Sequence, residues 1–177
     1  MSLSLIRFFI TIFTFAVSTS AFSQNDPVPE YLTTQPFPDS VGSVSIVTYE
    51  GKRISFSEML SAHKGKKVVI DMWASWCRDC IVGLPKLNEL RKKTGEEHVV
   101  YLFLSVDANE EKWKGAINKF NIQGEHYRVE GAWKTPLSNY IALDWVPRYM
   151  VLNENGMIMM PKAIEASRID PTDLIGE

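Results

Sequence analysis

Two long runs of apolar residues stand out in the hydrophobic pattern of the chain, at residues 67–74 (KVVIDMWA) and 98–107 (HVVYLFLSVD). Nearly continuous apolar runs of this length predict central strands of a sheet that is covered on both faces. Two shorter segments, residues 44–49 (VSIVTY) and 51–56 (GKRISF), predict a pair of shorter strands. A short helix is expected in the segment that follows them, FSEMLSAHKGKK.

The spacing of apolar residues changes to that of a helix directly after the first long run. Over residues 77–94 they recur at three-residue spacing, at Ile81, Leu84, Leu87 and Leu90. Pro85 interrupts this helix and is expected to kink it. Gly95 is expected to end it.

Helical and strand patterns both occur in the second half of the chain. Residues 108–120 predict an amphipathic helix, and residues 135–145 predict a shorter one. Residues 147–160 (PRYMVLNENGMIMM) predict a hairpin, because two apolar runs surround an Asn-Gly pair that supplies a positive φ. Residues 170–177 predict a last helical turn.

The predicted order of elements is strand–strand–helix–strand–helix–strand–helix–helix–strand–strand–helix. Strand–helix–strand units come first, and an antiparallel hairpin comes last. This order predicts an α/β fold in which a mixed central β-sheet is flanked by helices on both faces.

The first residues follow a pattern that is not typical of a folded domain. Residues 1–7 carry one positive charge, residues 8–17 are almost wholly apolar, and residues 18–24 are small and polar. This is the pattern of a secretory signal peptide, which we assign to residues 1–23. Its apolar part is short for a membrane-spanning helix, which needs about 20 residues. An uncleaved signal anchor is the alternative, and it would be the chain's contact with a membrane.

Length and composition indicate one globular domain after this leader. Residues 24–43, with several prolines, predict an extended N-terminal tether, and residues 44–177 predict the domain. The chain has 177 residues, of which 45% are hydrophobic and 23% charged, close to the norm for globular proteins. Its net charge of -2 lacks the basic excess that binding to nucleic acid needs, so no nucleic-acid partner is predicted.

Both cysteines of the chain lie in one octapeptide, WASWCRDC, at Cys77 and Cys80. An exported protein meets conditions in which thiols become oxidised. A disulfide between residues so close in sequence restrains the unfolded chain little, so redox chemistry explains the pair better than stabilisation does. A structural disulfide or half of a metal site is the alternative. A closed zinc site needs four ligands, and no histidine spacing completes one, so neither a metal nor a cofactor is predicted.

The position of the pair predicts different roles for its two sulfurs. Cys77 falls where a strand ends and a helix begins, and free N–H groups and the helix dipole favour a thiolate there. We expect Cys77 to be the exposed attacking nucleophile. Cys80, nearly one turn later, should be more buried and should resolve the mixed disulfide. Asp71, in the apolar strand before Cys77, should have its pKa raised towards neutral by burial, which suits a proton acceptor.

These features together resemble the thioredoxin superfamily, and in particular its exported TlpA/ResA-like thiol–disulfide oxidoreductases. The resemblance is carried by VVIDMWASWCRDC (residues 68–80), Pro85, LSVD (residues 104–107) and VPRYMVLNENG (residues 146–156). It covers residues 41–160 and implies a thioredoxin fold.

The resemblance also implies roles for individual residues. Pro147 matches the family's cis-proline opposite the disulfide, and the backbone of Val146 would pair with an extended segment of a client protein. Asp71 matches the buried acid that exchanges a proton with the resolving cysteine, Cys80. Trp76 would flank the disulfide and limit solvent access. The implied partners are client proteins with disulfides or thiols and a membrane thiol reductase as electron donor, in a bacterial periplasm.

Two features depart from the family pattern. Arg78 and Asp79 stand between the cysteines, where reducing thioredoxins usually carry Gly-Pro. Arg78 should stabilise a Cys77 thiolate and Asp79 should oppose it, so these charges do not fix the redox potential. After Met160 the sequence offers a stub where a full final helix is expected.

Two other functions stay open beside reduction of client disulfides. A disulfide-forming oxidase of the DsbA type has the same fold, and valine before the cis-proline favours it slightly. A thioredoxin-like copper chaperone would use Cys77 and Cys80 as soft Cu(I) ligands, with Met157, Met159 and Met160 as weak candidates for a further ligand.

Overall fold

The computed structural model of the protein describes residues 29–175, so the signal peptide predicted for residues 1–23 lies outside the described residues. The described chain forms one seven-stranded sheet with strands β1 (Ser45–Thr48), β2 (Arg53–Ser55), β3 (Lys67–Trp73), β4 (Val99–Ser105), β5 (Glu125–Val129), β6 (Arg148–Leu152) and β7 (Ile158–Ala163). The helices are α1 (Tyr31–Thr34), α2 (Asp39–Gly42), α3 (Phe56–Ser61), α4 (Arg78–Thr94), α5 (Glu110–Phe120), α6 (Pro136–Tyr140) and α7 (Pro171–Ile175), with a 3₁₀ turn at Ala166–Arg168.

The strands lie in the order β2-β1-β5-β4-β3-β6-β7. β3 pairs in parallel with β4 and antiparallel with β6, and β4 pairs in parallel with β5. The sheet is therefore mixed, as the order of elements predicts. Pro161 lies in the edge strand β7, where its missing N–H can face away from the neighbouring strand.

The two long apolar runs form the adjacent central strands β3 and β4, as predicted. Every residue of β3 after Lys67 is buried, and Ile70, Met72 and Leu102 have no exposed surface. Complete burial of such side chains stabilises a fold by about 1.5–3 kcal/mol each. These strands are therefore the rigid base from which the loops at their carboxyl ends extend.

Helix α4 begins directly after Cys77, whose side chain caps it. Leu87 and Leu90 are buried, so the three-residue spacing does mark the face that packs on the sheet. The helix continues through Pro85, and it ends at Gly95 with a φ of 72°, a conformation that glycine adopts without strain.

Strand β5 is missing from the predicted order of elements. In its sequence, EHYRV, Tyr127 and Val129 are buried, and the other three residues are charged residues or histidine. It pairs with β4 on one side and with β1 on the other. A short strand with charged residues on one face lacks the apolar run that marks β3 and β4, which is why the pattern did not reveal it.

Helix α6 is shorter than the helix predicted over residues 135–145. It ends at Tyr140, and Ala142 adopts a left-handed conformation with a φ of 46°. The residues from Ala142 to Pro147 therefore form a loop between α6 and β6, and this loop reaches the candidate site.

The extended tether predicted for residues 24–43 is wrong for its described part, which begins at residue 29. This part contains the helical turns α1 and α2, in which Leu32 and Val41 are buried. Phe37, between them, packs edge-on against Phe56 of α3, with ring centroids 5.1 Å apart. The segment packs on the domain because its apolar side chains complete the core. Among residues 29–175 no helix has the length and apolar character that crossing a bilayer requires.

The segment after Met160, which departs from the family pattern, completes the sheet and then covers α4. β7 extends to Ala163, and the short helix α7 follows the 3₁₀ turn. Leu174 of α7 is buried, and the Lys67 ammonium donates a hydrogen bond to the carbonyl oxygen of Asp173 at 2.8 Å. The short last helix is therefore tied to the start of β3.

Candidate active site

The two cysteines lie at the amino end of α4 and are joined by a disulfide bond. Cys77 is the N-cap residue, and its sulfur accepts a hydrogen bond from the backbone N–H of Cys80 at 3.1 Å. The sulfur thus occupies the place of a capping oxygen, where the orphan N–H groups and the helix dipole favour negative charge. This arrangement favours a thiolate at Cys77 in the reduced protein.

The prediction that Cys77 is exposed is wrong for this oxidised form. Cys77 is 5% exposed and Cys80 is 2% exposed, so both are buried, with Cys77 slightly nearer the surface. The physical reason is the approach of the loop before β6, because the carbonyl oxygen of Val146 lies 3.4 Å from the Cys77 sulfur. A client protein can therefore reach this sulfur only through the small part of it that the neighbouring residues leave exposed.

The Val146–Pro147 peptide bond is cis, and both residues are buried, Val146 completely. The large side chains exposed beside them are Trp145, at 63%, and Trp76, at 55%. Trp76 also lies next to the partly buried Trp133, with ring centroids 6.5 Å apart. Trp76 directly precedes Cys77 in sequence and Trp145 directly precedes Val146, so both exposed tryptophans belong to the two segments that meet at the Cys77 sulfur.

A buried arginine holds the loop that carries Trp145 and Val146. Arg148, which is 2% exposed, donates to the carbonyl oxygens of Ile141 at 3.1 Å and Ala142 at 3.4 Å. Its guanidinium also forms an ion pair with Asp144. One charged group thus contacts two backbone carbonyls and one carboxylate of the segment between α6 and the cis-proline, which fixes the path of this loop.

A buried carboxylate holds the segment that leads into Cys77. Asp107 accepts hydrogen bonds from the backbone N–H of Ser75 at 2.8 Å and from the Ser75 hydroxyl at 2.7 Å. The Ser105 hydroxyl donates to the same carboxylate at 2.7 Å. Charge-assisted hydrogen bonds of this kind are strong, so Asp107 ties the approach to Cys77 to the end of β4.

Asp71 lies in the middle of β3 and is 2% exposed. Its Oδ1 atom has no hydrogen-bond partner within residues 29–175, and burial raises the pKa of the carboxyl group to about 8. Tyr149 stands directly opposite it on β6, so the two side chains share one face of the sheet. Burial, and then the charge of Asp71, raise the pKa of the Tyr149 hydroxyl.

The dipeptide between the cysteines faces solvent. Arg78 and Asp79 are both exposed, and both lie in the first turn of α4. No group of three or more His, Cys, Asp or Glu residues within the described chain could hold a metal ion. The cysteine pair is therefore the feature with clear chemistry at this end of the sheet.

Sequence reasoning missed several residues of this site. The hydrophobic pattern does not distinguish Trp145 from a core tryptophan, yet Trp145 is largely exposed, whereas Trp113 is fully buried. Its place two positions before the expected cis-proline was the signal that could have found it. Arg148 and Tyr149 follow that proline directly, and a charged residue inside an apolar strand is the signal for a buried ion pair.

Comparison with known proteins extends these observations. A family model described as Thioredoxin-like matches residues 65–158, which is more than half of the chain. The thiol-disulfide oxidoreductase ResA of Bacillus thuringiensis (strain Al Hakam) is 30% identical over 78 residues, which are 44% of this chain and 43% of that protein. ResA of Bacillus thuringiensis subsp. konkukian is 27% identical over 107 residues, which are 56% of this chain and 60% of that protein. The chain thus spans about half the length of these curated relatives.

Solved structures give the same relationship over a larger part of the chain. The solution structure of a candidate thiol-disulfide oxidoreductase from Bacteroides vulgatus has a TM-score of 0.61 and 28% identity, and covers 80% of this chain and 87% of that one. A crystal structure of a candidate thiol-disulfide oxidoreductase from the same organism has a TM-score of 0.65 and 25% identity, and covers 83% of this chain and 97% of that one. Since the family match includes both central strands and the cysteine pair, this chain belongs to the thioredoxin-like family, as a TlpA/ResA-like member of the thioredoxin superfamily.

Proposed function

We propose that this protein is a thiol–disulfide oxidoreductase that reduces disulfides of client proteins outside the cytoplasm. The observation that supports this activity most strongly is the position of the Cys77 sulfur. It caps α4, accepts the N–H of Cys80 at 3.1 Å and is bonded to the Cys80 sulfur. The site therefore combines a stabilised thiolate with a second thiol that can complete the exchange.

The reaction begins with the reduced protein. The Cys77 thiolate attacks one sulfur of a client disulfide, a Cys77–client bond forms, and the client's other sulfur leaves as a thiolate that takes up a proton. Cys80 then loses its proton and attacks the Cys77 sulfur, which breaks the bond to the client and releases the second client thiol. Two electrons have passed to the client, and the Cys77–Cys80 disulfide seen in the structure is the product.

The second step needs a proton acceptor in the interior, because Cys80 is 2% exposed. Asp71 is the buried acid of this face of the fold, and burial raises its pKa to about 8. A carboxyl group with a pKa near the working pH can take a proton and return it in the same cycle. We assign to the ionised form of Asp71, which becomes more abundant as the pH rises towards 8, the role of accepting the proton of Cys80.

The family relationship supports a proposed route for the electrons. The relatives named ResA and the solved oxidoreductases share this site's fold. The predicted signal peptide would bring the domain to an oxidising compartment, where a dithiol needs a dedicated donor. The proposed cycle therefore closes when a membrane thiol reductase reduces the disulfide again, in the periplasm of a bacterium.

Insulin reduction tests the activity. With dithiothreitol as donor, the protein should accelerate precipitation of the insulin B chain, and Cys77→Ser should remove the acceleration. An unchanged rate in Cys77→Ser would overturn the proposal. Ser61→Ala, which removes an exposed hydroxyl on α3 away from the cysteine pair, is a control that should keep the rate.

Equilibration with glutathione tests the direction of transfer. A reductant should have a potential near about -270 mV, whereas a disulfide-forming oxidase should lie near about -120 mV. A value near the second figure would keep the fold and the exchange chemistry but assign the protein to the oxidases. A Cu(I) titration of the reduced protein tests the copper alternative. We expect no tight Cu(I) binding, and tight binding would favour the copper chaperone.

A further inference from the structure

A cavity of about 400 Å³ is lined by residues of the two segments that meet at the disulfide. It lies between the first turns of α4, the residues around the cis-proline and the segment that follows β7. Asp79, from between the cysteines, and Pro147, the residue after Val146, both line it. A client segment attached to the Cys77 sulfur would therefore pass the mouth of this cavity.

The upper walls of the cavity are apolar and exposed. Val82 of α4 is 67% exposed and Trp145 is 63% exposed, and both line the cavity. Large apolar side chains that remain exposed around a concavity are typical of a binding site. These walls suit the aliphatic part of a client side chain.

The floor of the cavity carries a buried hydroxyl group. Tyr149 lines the cavity and is 1% exposed, and its hydroxyl makes no hydrogen bond to any residue in the described range 29–175. The hydroxyl lies against α4 at Gly83, where a Cβ would be 3.4 Å from the Tyr149 oxygen. With no partner among the described residues, this hydroxyl is free to accept a hydrogen bond from a group that enters the cavity.

The charge at the rim of the cavity is negative. Asp79 and Glu165 both line it, and neither takes part in an ion pair within the described chain. Lys86, which also lines the cavity, is paired with Glu89 at 3.0 Å. A cation that enters thus meets two carboxylates, and an anion would be repelled by them.

We propose that this cavity is a specificity pocket for a lysine or arginine side chain that flanks the attacked cysteine of the client. The aliphatic stem lies along Trp145 and Val82, the charged end meets Asp79 and Glu165, and an N–H of the same group donates to the Tyr149 oxygen. A nearby positive charge also lowers the pKa of the client thiol, which makes it a better leaving group. The inference rests on the proposed function, since it names the class of client segment that the same site accepts.

Matched peptide disulfides test the pocket with the full chain. Three peptides, each a disulfide-linked dimer, carry lysine, glutamine or glutamate two positions from the cysteine and are otherwise identical. The reduced protein should reduce the lysine peptide roughly fivefold faster in kcat/KM than the glutamate peptide, with glutamine between them. Added salt should narrow this difference.

Two variants locate the effect. Glu165→Lys should remove or reverse the preference, whereas Glu111→Gln, which alters an exposed carboxylate on α5, should keep it. Tyr149→Phe should reduce the preference for lysine over glutamine. Equal rates for the three peptides in the unaltered protein would overturn the specificity pocket and leave the proposed function standing. Failure to reduce any of the peptides, together with failure on insulin, would overturn the proposed function itself.

Discussion

The sulfur of Cys77 lies 3.4 Å from the carbonyl oxygen of Val146, although the two residues are far apart in the sequence. The same sulfur accepts a hydrogen bond from the backbone N–H of Cys80, in α4, at 3.1 Å. A carbonyl oxygen opposes negative charge on the sulfur, whereas the N–H and the amino end of α4 favour it. The balance of these groups sets how reactive the first cysteine is.

Removal of the second thiol should trap the first intermediate. In Cys80→Ser the Cys77–client bond can form, but no internal thiol remains to break it. Incubation with a disulfide-containing client should therefore give a covalent adduct that survives non-reducing electrophoresis and disappears with dithiothreitol. The double variant Cys77→Ser, Cys80→Ser is the control, and an adduct in that variant would show that the bond forms elsewhere.

Asp71→Asn should stabilise the oxidised protein at neutral pH. Burial raises the pKa of this carboxyl group from 3.8 to about 8, so the folded state holds a proton that the unfolded state loses above pH 4. Its contribution to stability is thus most favourable below about pH 4 and is lost as the pH rises through 8. The amide removes this penalty, which we expect to raise the free energy of unfolding by on the order of 2–4 kcal/mol at pH 7.

Urea unfolding at pH 4 and pH 7 measures this effect. The gain should be clearly larger at pH 7 than at pH 4. Glu111→Gln, which changes an exposed carboxylate, should alter the free energy of unfolding little at either pH. A loss of stability in Asp71→Asn at pH 7, or the same gain at both values, would show that the carboxyl group is not held protonated by burial.

The same substitution should slow the release of the client. Without a proton acceptor, deprotonation of the buried Cys80 becomes limiting, and the resolution step should fall by at least about tenfold at pH 7. Attack by Cys77 should change much less. Single-turnover kinetics with a client peptide separate the two steps, and equal slowing of both would contradict the assignment.

Much of this site follows from local sequence, and the rest depends on contacts between distant segments. β3, α4 and the hairpin are predictable because apolar spacing, a capping position and Asn-Gly act over a few residues. The burial of Cys77 depends on Val146, and the role of Trp145 depends on where α6 ends. The sequence shows that Trp145 is close to the expected cis-proline, but it does not predict the burial of Cys77, because the pattern along one chain does not show which loop covers which side chain. β5 is absent from the predicted order because its own residues lack an apolar run, and its place in the sheet depends on pairing with β1 and β4.

Arg148→Met should affect protein clients more than small disulfides. The substitution keeps an unbranched apolar side chain but removes the donors to Ile141 and Ala142 and the ion pair with Asp144. We expect a loss of stability of about 2 kcal/mol, together with a raised KM for a protein client, because the loop that carries Trp145 loses its support.

The comparison for Arg148 uses a small substrate and a matched variant. The rate with oxidised glutathione should stay within about twofold of the unaltered protein, since a small disulfide needs little of the loop. Lys162→Met removes the other cation that contacts Asp144, at 3.2 Å, and leaves the loop carbonyls bonded. If Lys162→Met raised KM as much as Arg148→Met does, the hydrogen bonds from Arg148 to the loop carbonyls would not explain the effect of Arg148→Met.

The pKa of the Cys77 thiol in the reduced protein tests the central claim most directly. Thiolate absorbance near 240 nm, followed against pH in Cys80→Ser with the double variant Cys77→Ser, Cys80→Ser as the blank, isolates this group. The helix end and the N–H donor should outweigh burial and the Val146 carbonyl, so the pKa should fall below about 7.5. A value of about 8.5 or higher would mean that the fold leaves the first thiol unactivated, and the proposed mechanism would be wrong.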